Sequence, residues 1–214
     1  MLQPILHQLN SKYIVLASTS PRRKMLMEQI GLKCKIIPSN FEENLRKEDF
    51  KTPLDYVTET ARQKTLEVVN RLYSEKSSRP DLIIGADTVV TLDGEIFEKP
   101  KSRDHAISVL SRLSGSTHNV ITSVVLVTPE TGDPPFKITQ FSTNTEVWMG
   151  ELSQRMIESY VDTQEPMDKA GGYGIQALGS TLISGIKGDY FNVIGFPLHP
   201  FAKELCKLFP DTSA

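Results

Sequence analysis

Few folds accommodate the stretch YIVLASTSPRRKMLMEQIG, Tyr13 to Gly31, in which an apolar run leads without a linker into a capped helix. Tyr13 to Ala17 has the aromatic and β-branched composition of a buried strand. Ser18, Thr19 and Ser20 supply oxygens able to cap a helix, Pro21 suits its first position, and Gly31 closes it. Leu26 and Ile30 lie four apart on one face with Met27 beside them, so that face turns to the core. Arg22 and Arg23 therefore project from the helix end whose backbone N–H groups have no intrahelical partner. Two cations there oppose the helix dipole by roughly a few tenths of a kcal/mol. A phosphate resolves the conflict, because backbone amides and guanidinium groups would both face it. A solvated arginine pair on an ordinary capped helix explains this segment equally well.

The rest of the chain repeats the alternation of strand and helix. Further helices are expected over Pro53–Leu72 after Thr52 as cap, about Arg103–Leu113, about Ser153–Val161 and Pro200–Phe209. Asp81–Leu92, the Asp93-Gly94 turn and Glu95–Glu98 read as a hairpin, and Val120–Thr128 with Phe136–Trp148 as a long antiparallel pair. The expected class is α/β with a mixed sheet. YSEKSSRPD (73–81) and PETGDPP (129–135) read as surface turns. At 214 residues the chain can bury a sizeable core, and it is read as one domain over 1–214. The tail LFPDTSA has no structured ending, which suits a domain cut from a longer protein.

Composition narrows the partner. A net charge of -2 gives no overall basic field, so a nucleic-acid duplex or a membrane surface is disfavoured and a small anion fits better. Cys34 and Cys206 lack metal-ligand or disulfide-framework spacing, which suits a reducing compartment. No apolar run reaches about 18 residues, and MLQPILHQLN lacks the features of a signal peptide, so a cytoplasmic location is expected.

Three segments place polar groups against the local pattern. On the Pro53–Leu72 helix the stripe Leu54, Val57, Ala61, Val68 and Leu72 passes through Lys64, a cation near the middle of a buried face. Either Lys64 snorkels past the edge of a small core or it meets an anion, and the anion is favoured. In LIIGADTVV (82–90) Asp87 interrupts a strand that looks covered on both faces, where a carboxylate needs a partner or a metal. Gly85 allows close approach, and Thr88 adds a hydroxyl. Glu42-Glu43 and Lys99 stand just beyond expected strands. DKAGGYGIQALG (168–179) is a glycine-rich loop that is neither a Walker loop nor a dinucleotide fingerprint. Its Gln176 offers both a donor and an acceptor, as base reading requires, although a tight structural turn explains the glycines as well.

Together LASTSPRR (16–23), EE (42–43), ARQK (61–64), GADTVV (85–90), EKP (98–100), LSGSTHNVIT (113–122) and DKAGGYGIQALG (168–179) resemble the Maf family of nucleoside triphosphate pyrophosphatases, in the family's order and over nearly the whole chain. The resemblance implies an elongated mixed β-sheet with flanking helices and two lobes around a central cleft, similar to inosine triphosphate pyrophosphatases. It also implies hydrolysis of the α–β phosphoanhydride with a divalent cation, Mg²⁺ or Mn²⁺, held by Glu43 and Asp87. Asp87, Glu43, Lys64 and Lys99 are then the catalytic positions. Ser18, Ser20, Arg22, Arg23, Thr88 and Gln176 bind the substrate. Arg22, Thr88 and Gln176 match the type acting on dTTP and UTP. Arg22, Arg23, Lys64 and Lys99 would neutralise the triphosphate, and Asp87 would take the proton of the attacking water, although a carboxylate could serve only as metal ligand. The chain also resembles the N-terminal Maf-like domain of a protein fused to a methyltransferase-like domain, and a homodimer is a further expectation. The alternatives are a nucleotide sensor without turnover and a module gripping nucleic-acid phosphates.

Overall fold

The structure, a computed structural model, describes residues 1–74 and 79–211. Its centre is a seven-stranded mixed sheet: β1 (Ile14–Leu16), β2 (Lys35–Ile36), β3 (Leu82–Leu92), β4 (Glu95–Phe97), β5 (Thr117–Pro129), β6 (Phe136–Met149) and β7 (Ile183–Lys187). The order is β2-β1-β3-β5-β6-β7, with β4 also beside β3. β1 runs parallel to β2 and β3, and the other pairs are antiparallel. Asp93 and Gly94 both adopt positive φ, 51° and 81°, as a two-residue hairpin turn between β3 and β4 requires.

The register of β3 opens a gap that everything else is arranged around. β5 pairs with Ile83 through Thr91 along one edge. β1 and β4 must therefore share the other edge, where β1 takes Leu82–Ile84 and β4 takes Val90–Leu92. Residues 85–89, which include Asp87 and Thr88, are left without a strand partner on that side. Successive side chains alternate between faces, so Asp87 and Thr88 point to opposite sides of the sheet.

One face is covered along its length by α3 (Pro53–Ser74), 22 residues long. A capping box starts it: Asp55 N–H donates to Thr52 Oγ1 and Thr52 N–H donates to Asp55 Oδ2, each at 3.1 Å. Ala61, Val68, Val69 and Leu72 pack on Ile83, Val125 and Val127, while Tyr56 and Val57 pack on Val89 and Ile121. Gly85 is required by this contact, since a Cβ there would lie 1.8 Å from Thr65 Oγ1. Leu54 corrects the expected stripe: it is 45 % exposed, because the helix's first turn overhangs the sheet.

The opposite face carries two separate cores. Around Ile84, Ala86, Val124 and Leu126 gather α1 (Gln3–Asn10), α2 (Pro21–Gln29) and α7 (Leu198–Leu208). Around Val90, Val120 and Val147 gather α4 (Arg103–Leu113) and α5 (Gln154–Asp162). Between the two cores lie Thr88 and the buried Thr122, a polar seam that divides the fold into two lobes.

Several elements were not expected from sequence: α1, β7 and the five-residue α6 (Tyr190–Ile194). Ile5 and Leu9 of α1, with Leu2 at its N-cap, are buried at helical spacing, a signal that was present. α7 begins at Leu198 rather than Pro200, since a proline in a first turn lacks only an N–H that has no intrahelical partner. The expected turn at 73–81 includes residues 75–78, and the expected loose tail includes 212–214; both groups lie outside the described residues. Among the described residues no helix is long and apolar enough to cross a membrane. Cys34 and Cys206 are free thiols.

Candidate active site

The gap at residues 85–89 opens into a cleft of about 540 Å³ lined by Ser18, Ser20, Arg22, Arg23, Glu43, Lys64, Asp87, Thr88, Lys99 and Gln176, so every expected catalytic and substrate-binding residue faces one space, while Glu42 does not line it. They reach it from five places: the turn into α2, the segment before α3, α3 itself through Lys64, β3 with its hairpin, and the late glycine loop.

On the α3 face, Lys64 Nζ lies 2.7 Å from Asp87 Oδ1 and 2.8 Å from Glu43 Oε2. Lys64 and Asp87 side chains are 17 % and 13 % exposed, whereas Glu43 is 54 % exposed at the rim. Burial pushes the Asp87 carboxyl above its usual range; Lys64 and Arg23 oppose that rise without cancelling it. Glu43 belongs to an irregular segment that α3 itself holds, because Glu67 accepts hydrogen bonds from Ser39 Oγ and Asn40 N–H and Arg71 donates to Pro38 O. The sequence conflict at Lys64 is thus met by two carboxylates.

On the other face Ser20 caps α2, its side chain accepting from Arg23 N–H. The Arg23 guanidinium donates to Gly195 O at 3.0 Å, Ala86 O at 2.8 Å and Thr88 Oγ1 at 2.9 Å, and burial lowers its pKa. Arg23 therefore ties the α2 end to the unpaired edge of β3. The Thr88 hydroxyl also meets Thr122 Oγ1 at 2.9 Å. Arg22 reaches across the cleft mouth, donating to Asp168 Oδ2 at 2.6 Å and Asp168 O at 3.0 Å. Protein acceptors thus already answer the charge conflict at this helix end.

Asp168 had no assigned role in the sequence reading, nor had Glu98, Lys101, Lys169 and Tyr173, which also line the cleft. Glu98 accepts from Tyr56 Oη at 2.8 Å and pairs with Lys47 at 3.0 Å. Asp168 and Lys169 were legible as the charged pair opening the glycine loop, but Arg22, the partner of Asp168 across the cleft, lies 146 positions away. Gly171 has φ 69°, and a Cβ there would lie 2.8 Å from Val90, so the loop backbone rests directly on β3. Gln176 is partly buried, and among the described residues its amide has no hydrogen-bond partner.

The wall behind Tyr173 carries a pH-sensitive group. His118 is 1 % exposed, with Nε2 against the Tyr173 hydroxyl and Nδ1 without a partner. Burial pushes its pKa from 6.5 down to about 4, so the folded protein holds a neutral ring. The unfolded chain takes up the proton first on acidification. The stabilisation is fully present above about pH 6.5 and is lost as the pH falls toward about 4, a change on the order of 3 kcal/mol. Urea denaturation of wild type and His118→Phe across this window is expected to show a shallower pH slope in the variant; equal slopes would assign the acid sensitivity elsewhere.

Glu43 and Asp87 also supply what a hard divalent cation prefers. Two carboxylates from different elements converge within 2.8 Å of one point, open to phosphate oxygens entering the cleft. Among the described residues no cluster of three or more His, Cys, Asp or Glu forms a closed metal cage.

The family described as Maf-like protein matches residues 13–208. The chain is similar to a human protein named "Probable bifunctional dTTP/UTP pyrophosphatase/methyltransferase protein", 47% identical over 211 residues, covering 98% of this chain and 34% of that protein. It thus spans about a third of that relative's length. It is also similar to a dTTP/UTP pyrophosphatase of Clostridium perfringens (strain 13 / Type A), 44% identical over 193 residues and covering 90% and 95% of the two chains. A dTTP/UTP pyrophosphatase of Thermosipho africanus is 40% identical over 185 residues, covering 86% and 87%. Among solved structures, the Staphylococcus aureus Ham1 protein aligns with a TM-score of 0.44 at 15% identity over 80% of each chain.

Proposed function

The chain belongs to the Maf-like protein family, and on that premise we propose that it is a pyrophosphatase hydrolysing dTTP and UTP to the monophosphate and pyrophosphate. The observation that carries this reading is the Glu43–Lys64–Asp87 cluster at the unpaired edge of β3, facing across one cleft a glutamine loop with a free amide. The relatives' names supply the substrate class.

The triphosphate lies between the α2 end and the β4 side of the cleft. Ser18, Ser20 and the backbone around them meet its oxygens, Arg22 exchanges Asp168 for phosphate, and Lys99 neutralises charge from the opposite wall. Arg23 contributes its field while holding Thr88 in place. Glu43 and Asp87 would hold the divalent cation, Mg²⁺ or Mn²⁺, which supplies charge neutralisation and makes a bound water more acidic. The water oxygen attacks the α-phosphorus, its proton passes to a carboxylate, and the bond from the α-phosphorus to the bridging oxygen breaks as pyrophosphate leaves. Asp87 takes the proton, because burial favours the protonated form of its carboxyl, and Glu43 at the rim serves chiefly as ligand.

Gln176 reads the base. An amide presented with the wrong donor or acceptor costs about 1–3 kcal/mol, so discrimination is finite. We expect dTTP and UTP to exceed dATP and dGTP at least ~10-fold in kcat/KM, with CTP poor because its exocyclic amine reverses the pattern at position 4. Gln176→Ala is expected to shrink these ratios while the best substrate is still turned over. Unchanged ratios would move base reading to Thr88, Arg22 or the backbone. A cytoplasmic setting, a homodimer and a fused methyltransferase-like domain, the last resting on the human relative's name, belong to the same proposal.

A further inference from the structure

The loop that carries Gln176 stands on two feet, and both are tied to one pair of side chains. Gly174 N–H donates to the Tyr160 hydroxyl at 3.3 Å, and that hydroxyl donates to Glu165 Oε1 at 3.0 Å. From the other foot, Gly179 N–H donates to the same Oε1 at 2.9 Å and Leu178 N–H to Oε2 at 3.2 Å. The two feet touch: a Cβ on Gly179 would lie 2.2 Å from Gly174 O and 2.6 Å from the Tyr160 hydroxyl. Ala177, at φ 51°, turns the chain between them.

Tyr160 and Glu165 meet because Gln164, at φ 63°, reverses the chain just past α5. The Tyr160 ring is 6 % exposed in the core of its lobe, and Lys169 Nζ holds Glu165 O at 2.6 Å. The bracket is thus anchored through Tyr160 in the core of its lobe, with Lys169 at the start of the glycine loop as a second tie. Neither residue lines the cleft.

From this geometry we infer that Glu165, with Tyr160, is a positioning residue for base recognition: it closes the 174–179 loop at both feet and so fixes Gln176 toward the cleft. The inference rests on the reading of Gln176 as the base-facing residue. A carboxylate accepting three hydrogen bonds restrains the loop against rotations that would leave the amide pointing elsewhere. Removing the carboxylate leaves the Glu43–Lys64–Asp87 cluster in place, so the loss should fall on KM and on base preference more than on kcat.

The experiment compares UTP and CTP in wild type, Glu165→Ala, Glu165→Gln, Tyr160→Phe, Gln176→Ala and the Glu165→Ala/Gln176→Ala double variant. Glu165→Ala is expected to raise KM for UTP roughly 10-fold and to cut the UTP preference at least ~5-fold. Tyr160→Phe should move the same way, and Glu165→Gln should recover part of the preference through its remaining oxygen. The double variant should be no less selective than Gln176→Ala, because Glu165 acts through Gln176. Hydrogen exchange at the Leu178 and Gly179 amides should accelerate in Glu165→Ala. An unchanged UTP preference in Glu165→Ala and Tyr160→Phe, with Gln176→Ala altered, overturns this inference alone. An unchanged preference in Gln176→Ala overturns the base reading itself.

Discussion

Asp87→Asn is expected to lower turnover of dTTP and UTP by at least ~10², the loss of a group that either accepts the proton or binds the cation at the reacting centre. The amide is close to isosteric, and its oxygen can still accept from Lys64, whose Nζ stands 2.7 Å from Asp87 Oδ1. The fold should therefore persist, with Tm at pH 7 close to or above wild type, since a charge that burial opposes has been removed. Single-turnover measurement of pyrophosphate release separates this chemical defect from slow product release. Near-wild-type rates would take Asp87 out of both roles.

Lys64→Met is expected to reduce turnover by a similar factor of at least ~10² and also to destabilise the protein by about 2 kcal/mol at neutral pH. The apolar stripe of α3 would tolerate methionine, but two carboxylates would be left facing the point where Nζ stood, one of them largely buried. Without the cation the Asp87 pKa rises further above its ordinary 3.8. The sign follows: a carboxyl whose folded pKa is raised is tolerated at low pH and costs stability as the pH climbs through that raised value. In metal-free buffer the stability deficit of Lys64→Met should therefore shrink as the pH falls through the raised Asp87 pKa toward the ordinary 3.8. Equal stability at neutral pH would show that Lys64 does not compensate the buried carboxylate.

The parts of the site written in local patterns were legible. Lys64 in an apolar stripe and Asp87 in an apolar strand each broke a short-range rule, and each breach pointed to a partner. The cap of α2, the hairpin at Asp93-Gly94 and α4 depend on neighbours within a few residues, and they were placed accordingly. What could not be read was pairing over distance. Nothing near Arg22 announces Asp168, 146 positions away, and nothing near Arg23 announces Gly195 O. The gap in β3 is likewise a property of three strands together, since it exists only because β1 and β4 share an edge without meeting. Glu165 was hidden for a related reason: it holds the loop by backbone amides, whose use leaves no mark on residue type.

Attack at the α-phosphorus of a pyrimidine triphosphate is decided by where the new oxygen ends up. UTP is incubated with the protein and Mg²⁺ in ¹⁸O-labelled water, and the products are separated and weighed. UMP and pyrophosphate are expected in equal amounts, with one labelled oxygen in UMP and none in pyrophosphate. UDP with labelled orthophosphate, label in the pyrophosphate, or binding without any turnover would contradict attack at the α-phosphorus.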